Sequence, residues 1–282
     1  MKNILVTGAN GQLGACFKKI SANYSQLNFV FKSSAEADIT KKANLKKLFS
    51  EIKFDWVINC AAYTNVEKAE SEEEKAFKIN ADGAKNLAEV CDEFGAILIH
   101  FSTDYVFDGK AENPYKETDT TNPINVYGAS KLKGEQTLAE VLSDHFIFRT
   151  SWLYSEFGHN FYKTILRKID EKAELNITTS QTGTPTNAND LAEFVIEIIV
   201  SENKDFGLYH FSNLGEATWY DFAEAILEFT GNSEEIRLNE SNDFKTIAAR
   251  PEYSVLNKNK LQQGFSKPVL DWKESLKKLT NV

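Results

Sequence analysis

Apolar positions along the first half of the chain change period repeatedly. "KNILVTG" is a short β-branched run ending in glycine, which predicts a buried strand. "GQLGACFKKI" follows with the 3.6-residue spacing of a helix that buries one face. "LNFVFK", "DWVINCAA", "AILIHFS" and "HFIFRTSWL" predict further strands. "NLKKLFSEI", a long span from Ala69 to Phe94, and Tyr127 to Leu142 predict the intervening helices. Nearly continuous apolar strands such as "AILIHFS" suit a parallel sheet covered by helices on both faces. Regular strand–helix alternation therefore predicts an α/β fold with a doubly wound, Rossmann-like parallel sheet.

Beyond Trp152 the alternation loosens. "NFYKTILRKI" and "TWYDFAEAILEF" predict helices, and "ELNITT" and "GLYHFS" predict short strands. "SQTGTPTNAND" is rich in turn formers and supplies an N-cap for a helix over Leu191 to Val200. The expected division is a dinucleotide-binding domain over 1–155 plus 189–204, and a smaller C-terminal α/β substrate lobe over 156–188 plus 205–282.

The glycine pattern gives this architecture a ligand. "VTGANGQLG" places Gly8, Gly11 and Gly14 between the first strand and the first helix. Glycine there permits tight turns and lets main-chain amides approach a pyrophosphate, which the helix N-terminus also attracts. The end of the second strand, which reads the adenosine ribose, is "VFKSS". A cation there, Lys32, and no adjacent carboxylate favour the 2′-phosphate of NADPH, with NADH as the alternative. Thr103 and Asp104 in "STDYVFDG" fall just past the fourth strand, on the side where such sheets bind ligands. Tyr127 and Lys131 in "NVYGASKLKGE" sit one helical turn apart on one face. A phenol is protonated at neutral pH and can deliver a proton to an alkoxide. A neighbouring ammonium stabilises the phenolate left behind. Thr103 can donate a hydrogen bond to the same oxygen. The expected roles are Tyr127 as proton donor, Lys131 as its modulator and ribose ligand, and Thr103 as orienting group.

Charge and composition narrow the partners. The net charge of −9 argues against nucleic acid. No stretch approaches the ~20 apolar residues of a membrane span, and the apolar run Ile4 to Val6 is too short for a secretion signal. An odd cysteine count, Cys16, Cys60 and Cys91, suits a reduced compartment, so a cytoplasmic protein is expected. A homodimer is the default assembly.

Together these motifs resemble the extended short-chain dehydrogenase/reductases. Within them the chain is similar to the dTDP-4-dehydrorhamnose reductases. "GANGQLG", "DIT", "NCAAYTNVEKAE", "STDYVFDG", "FRTSWLYSEFGHNF", "QTGTPT" and "ARPEYSVL" carry the likeness, in the family's order and over almost the whole chain. Tyr105 stands where the related sugar 4,6-dehydratases carry a glutamate, which argues against elimination. The resemblance implies reduction of the C4 ketone of a dTDP-linked 4-keto-6-deoxysugar with NADPH. It also implies cofactor contacts at Gly11, Gln12, Leu13, Asp38, Ile39, Ala61, Ala62 and Tyr63, and substrate contacts at Trp152, Asn160, Gln181 and Arg250. Some family members hold Mg²⁺ through a C-terminal glutamate; Asn281 falls at that place, so no metal is expected. Two other readings share these motifs: a reductase for a different nucleotide-linked 4-keto sugar, and a non-catalytic subunit like the β subunit of methionine adenosyltransferase.

Overall fold

The computed structural model describes residues 1–243 and 245–280. Its centre is a six-stranded sheet of β1 (Lys2–Thr7), β2 (Leu27–Phe31), β3 (Trp56–Asn59), β4 (Ile97–Thr103), β5 (His145–Thr150) and β6 (Gly207–His210). The spatial order is β6-β5-β4-β3-β1-β2, and every pairing is parallel.

Period-two alternation sends neighbouring strand residues to opposite faces. Ile4 and Val6 of β1 enter one core beneath helices α1 (Gln12–Ser21) and α8 (Ala188–Val200). Leu5, between them, enters the other, beneath α2 (Lys42–Glu51), α5 (Gly83–Phe94) and α6 (Val126–Val141). Both faces are thus covered, as the continuous apolar strands require.

The second lobe packs α7 (Phe161–Asp170), α9 (Trp219–Phe229) and a helix over Trp272–Thr280 around Tyr154, Phe222 and Trp272. Two-stranded ribbons join its segments: Thr182–Gly183 with Ala217–Thr218, and Leu175–Ile177 with Leu238–Glu240.

Two expectations are corrected. "GLYHFS" supplies β6, which aligns Gly207 with Phe146 and His210 with Arg149 of β5. Residues 205–282 are therefore not all in the smaller lobe, because β5 offers an open parallel edge that β6 fills. Ala69 to Phe94 is not one helix. It breaks into α3 (Val66–Ala69), α4 (Glu73–Phe77), a π turn over Lys78–Asp82, and α5. Asn80 explains the bulge. Its side chain accepts from Tyr63 N at 2.8 Å and donates to Tyr63 O at 3.0 Å and Ser130 Oγ at 2.9 Å. Its carbonyl oxygen lies where a Cβ on Gly134 would be 2.2 Å away, so the π turn presses directly on α6.

Candidate active site

The chain leaves β1 towards β2 on one side and returns to β3 on the other. A doubly wound sheet opens a crevice at such a reversal, outside the strand C-termini. Thr7 and Asn59, at the ends of β1 and β3, are tied by a 2.7 Å hydrogen bond. Gly8 follows with φ +62°, and a Cβ there would lie 2.6 Å from the Ala61 amide nitrogen. A Cβ on Gly14 would lie 2.6 Å from the Gly8 carbonyl oxygen. These two glycines let the loop fold onto β3 and onto itself. Gly11 is the N-cap of α1 and no side chain caps that helix, so its first amides are open to an anion.

A cavity of about 550 Å³ rises from this loop. Its lining brings together Gly11, Gln12, Leu13 and Ala62 from the loop and β3 side, Thr103, Asp104, Tyr127 and Lys131 from the end of β4 and from α6, and Trp152, Asn160 and Arg250 from later in the chain. Gly8, Gly14, Lys32, Asp38, Ile39, Ala61, Tyr63 and Gln181 do not line it. Asp38 accepts bonds from the Thr40 amide and hydroxyl, Ile39 packs on Gly83, and the Tyr63 hydroxyl donates to Glu72.

Tyr127 and Lys131 occupy one face of α6, whose N-terminus is set by Asn125 accepting from the Gly128 amide at 2.7 Å. Gly128 is obligatory for this placement: a Cβ would be 2.1 Å from the Tyr105 carbonyl oxygen. Burial raises the Tyr127 phenol well above its ordinary range, with a hydrogen bond to Thr103 pulling the other way. The phenol is firmly in its proton-donating form. Lys131 is 3% exposed, and its ammonium donates to the Phe101 carbonyl at 2.5 Å. Burial lowers its pKa to about 8, opposed by the charge of Glu135 one turn further on. Glu135 in turn holds Arg149 of β5 through bonds of 2.9 and 2.7 Å.

Thr103 caps the short turn Asp104–Val106, accepting from the Tyr105 amide, and donates to Asp104 Oδ1 at 3.1 Å. Burial raises Asp104 to about 6, against hydrogen bonds from Ser254 and Thr103, and its Oδ2 has no protein partner. Tyr105 is buried edge-on to Tyr127 at 5.9 Å, and burial pushes its phenol up to about 12, so it stands as a neutral wall at physiological pH.

Just past β5, Trp152 has φ +45° and stacks on Trp219 of the second lobe with centroids 3.6 Å apart and planes at 8°. Gly183 makes room, since a Cβ there would be 2.6 Å from the Trp152 ring. Gln181 reaches the site only through Trp219, accepting its Nε1–H at 3.0 Å. Asn160 lines the cavity, but its amide is committed to the fold: it donates to Gln12, Ser155 and Phe157 and caps α7. Arg250 is paired with Glu67 at 2.8 Å and its Nε has no partner. Trp219, Glu67 and Glu135 were missed from sequence. A tryptophan after an N-cap threonine and glutamates on helices carry no local mark that distinguishes them from packing or solvated residues.

Among the described residues no group of three or more His, Cys, Asp or Glu is arranged to hold a metal, and Asn281 lies outside the described residues. No described helix is long and apolar enough to cross a membrane.

The family model for the RmlD substrate binding domain matches residues 1–282. The dTDP-4-dehydrorhamnose reductase of Escherichia coli (strain K12) is 39% identical over 290 residues, covering 99% of this chain and 97% of that protein. The crystal structure of a dTDP-4-dehydrorhamnose reductase from Clostridium acetobutylicum superposes with a TM-score of 0.92 at 39% identity, covering 99% of this chain and 98% of that one. The Bacillus anthracis enzyme in complex with NADP gives 0.94 at 37% identity, covering 99% of both chains. Matched from end to end by the family and by these relatives, the chain belongs to the dTDP-4-dehydrorhamnose reductases.

Proposed function

We propose that the protein reduces the C4 ketone of dTDP-4-dehydro-β-L-rhamnose to dTDP-L-rhamnose with NADPH, NADH being the second donor. The observation that carries this is one cavity lined both by the start of the glycine loop's helix, Gly11 to Leu13, and by Thr103, Tyr127 and Lys131. The loop fits a dinucleotide: the spaces that Cβ atoms on Gly8 and Gly14 would fill are needed for its fold, and the α1 amides are uncapped. Gly11, Gln12 and Leu13 would hold the diphosphate, and Lys131 the nicotinamide ribose. When bound, the nicotinamide supplies a hydride to the carbonyl carbon.

The chain's own residues handle the oxygen. The Thr103 hydroxyl, whose one proton points to Asp104 Oδ1, would turn it to the carbonyl oxygen and orient that group. The Tyr127 phenol delivers the proton as charge develops on that oxygen. Lys131, kept cationic below about pH 8, stabilises the phenolate until solvent restores the proton. Trp152 gives the sugar an apolar platform, and Arg250 suits the diphosphate of the sugar nucleotide. Asp38, Ile39, Ala61 and Tyr63 serve in this reading as outer supports of the cofactor loop. The three unpaired cysteines fit a cytoplasmic enzyme, and a homodimer is its expected assembly.

Purified protein given NADPH and the 4-keto sugar nucleotide will consume the cofactor stoichiometrically with product. Tyr127→Phe will lower kcat by about 10²–10⁴-fold while NADPH still binds. Absence of turnover in the wild type, with cofactor bound, refutes the reading.

A further inference from the structure

The ribose-reading end of the loop carries a carboxylate after all. The Lys32 amide donates to Val6 O at 2.9 Å, and the Ala9 amide donates to Lys32 O at 3.1 Å. The end of β2 is thereby clamped to the glycine loop. The chain then turns on Ser33, whose carbonyl accepts from the Glu36 and Ala37 amides. This turn brings the Glu36 side chain back. Its Oε2 accepts from the Ser33 amide at 2.9 Å and the Ser33 hydroxyl at 2.6 Å, and its Oε1 lies 3.7 Å from Lys32 Nζ.

We propose that Glu36 is a specificity-determining residue for the cofactor, a carboxylate that occupies the donors a ribose 2′-phosphate would need. The inference rests on the dinucleotide reading above. Amide, hydroxyl and ammonium are a phosphate-binding set, and here an internal anion already fills it. A 2′-phosphate entering the set meets like charge and must displace Glu36 from all of these bonds. A free 2′-hydroxyl does neither: the carboxylate can accept its hydrogen bond, as acidic residues do at this place in NAD-binding folds. Lys32 and Glu36 therefore pull in opposite directions. NADH stays competitive with NADPH although the segment "KSS" by itself favours the phosphate.

The mononucleotides 2′,5′-ADP and 5′-AMP isolate this end of the cofactor and require neither sugar nor turnover. Their dissociation constants are to be measured by calorimetry on the full chain, for the wild type, Glu36→Gln and Lys32→Ala. Glutamine keeps the shape and the bond from the Ser33 amide but not the charge. The ratio of 2′,5′-ADP to 5′-AMP affinity is expected to rise about tenfold in Glu36→Gln, to fall in Lys32→Ala, and to move towards unity with added salt in the wild type. A ratio within twofold of wild type in Glu36→Gln, a fall in it, or failure of both mononucleotides to bind the wild type overturns the proposal. Failure of the reductase reading would show differently, as intact mononucleotide binding without turnover.

Discussion

Lys131 donates to the Phe101 carbonyl at 2.5 Å, so the ammonium is anchored to β4 before any ligand arrives. The motif spacing alone suggests a lysine beside Tyr127; the structure adds a main-chain anchor, and burial lowers its pKa to about 8. Because the folded pKa is below the ordinary 10.5, the cation is present under about pH 8 and lost above it. Cofactor affinity and kcat/KM are therefore expected to decline above about pH 8. The sign for stability is opposite: between about 8 and 10.5 the unfolded chain binds more protons, so stability contributed by this group rises with pH. In Glu135→Gln the charge that supports the ammonium is gone, and the alkaline limb should move to lower pH. A limb that stays in place would show that Glu135 serves only to hold Arg149.

Asp104 presents a trade between stability and activity. Its carboxyl is raised from 3.8 to about 6, chiefly by burial. A group raised in the fold contributes stability that is full below the unfolded pKa and lost as pH climbs through about 6. At neutral pH its ionised form is a cost. Asp104→Asn should therefore unfold at higher temperature than wild type at neutral pH, by about 2 kcal/mol, and show no such gain near pH 4. The same change weakens the acceptor that orients Thr103, so kcat should fall while stability rises. Thermal unfolding at both pH values, set beside the rate at neutral pH, checks both halves.

Local chemistry explains which parts of this site are visible in sequence. Gly8, Gly14, Tyr127 and Lys131 announce themselves because a tight turn or one helix face fixes them within a few residues. The sheet is equally legible up to β5, where strands and helices alternate. β6 is obscured because its partner in the sheet lies far back in the chain, with the second lobe's segments between. Glu67 meets Arg250 across 183 positions, and no local pattern predicts such a meeting. Asn160 is a helix cap by its position before "FYKTIL", and the same residue lines the cavity. Glu36 was overlooked because the turn on Ser33 returns it to a strand end it does not adjoin in sequence.

The Glu67–Arg250 pair yields a prediction about the sugar nucleotide. Glu67 also accepts from the Ile247 and Ala248 amides at 2.8 and 3.3 Å, so it fastens the segment carrying Arg250 to α3. Arg250→Ala should raise the KM for the sugar nucleotide by about 30–100-fold, the equivalent of losing about 2–2.7 kcal/mol of charge-assisted bonding, with NADPH affinity little changed. Arg250→Lys should recover only part of this, because an ammonium cannot reproduce the planar fork. Glu67→Ala should raise the same KM by a smaller factor, through loss of position. Equal effects on cofactor and sugar nucleotide would remove Arg250 from the substrate end of the cavity.

The glycine loop separates two demands that the motif pattern merges. A Cβ on Gly14 would lie 2.6 Å from the Gly8 carbonyl oxygen and 2.7 Å from the Ala9 Cα, which are backbone atoms that cannot turn aside. A Cβ on Gly11 would meet only the Gly8 carbonyl oxygen, at 3.2 Å, a contact that a small shift relieves. Gly14→Ala should therefore cost about 2–4 kcal/mol of stability, as overpacking against rigid atoms does, and weaken NADPH binding along with it. Gly11→Ala should cost under about 1 kcal/mol of stability, because its backbone is already extended at φ −78°. Its effect should fall on the ligand, since Gly11 lies at the uncapped start of α1 and lines the cavity where the diphosphate is proposed to sit. Denaturant unfolding without cofactor, paired with a fluorescence titration by NADPH, reads the two quantities separately. Parallel losses in both variants would mean that the loop's fold, and not the approach of a phosphate, sets the requirement at Gly11.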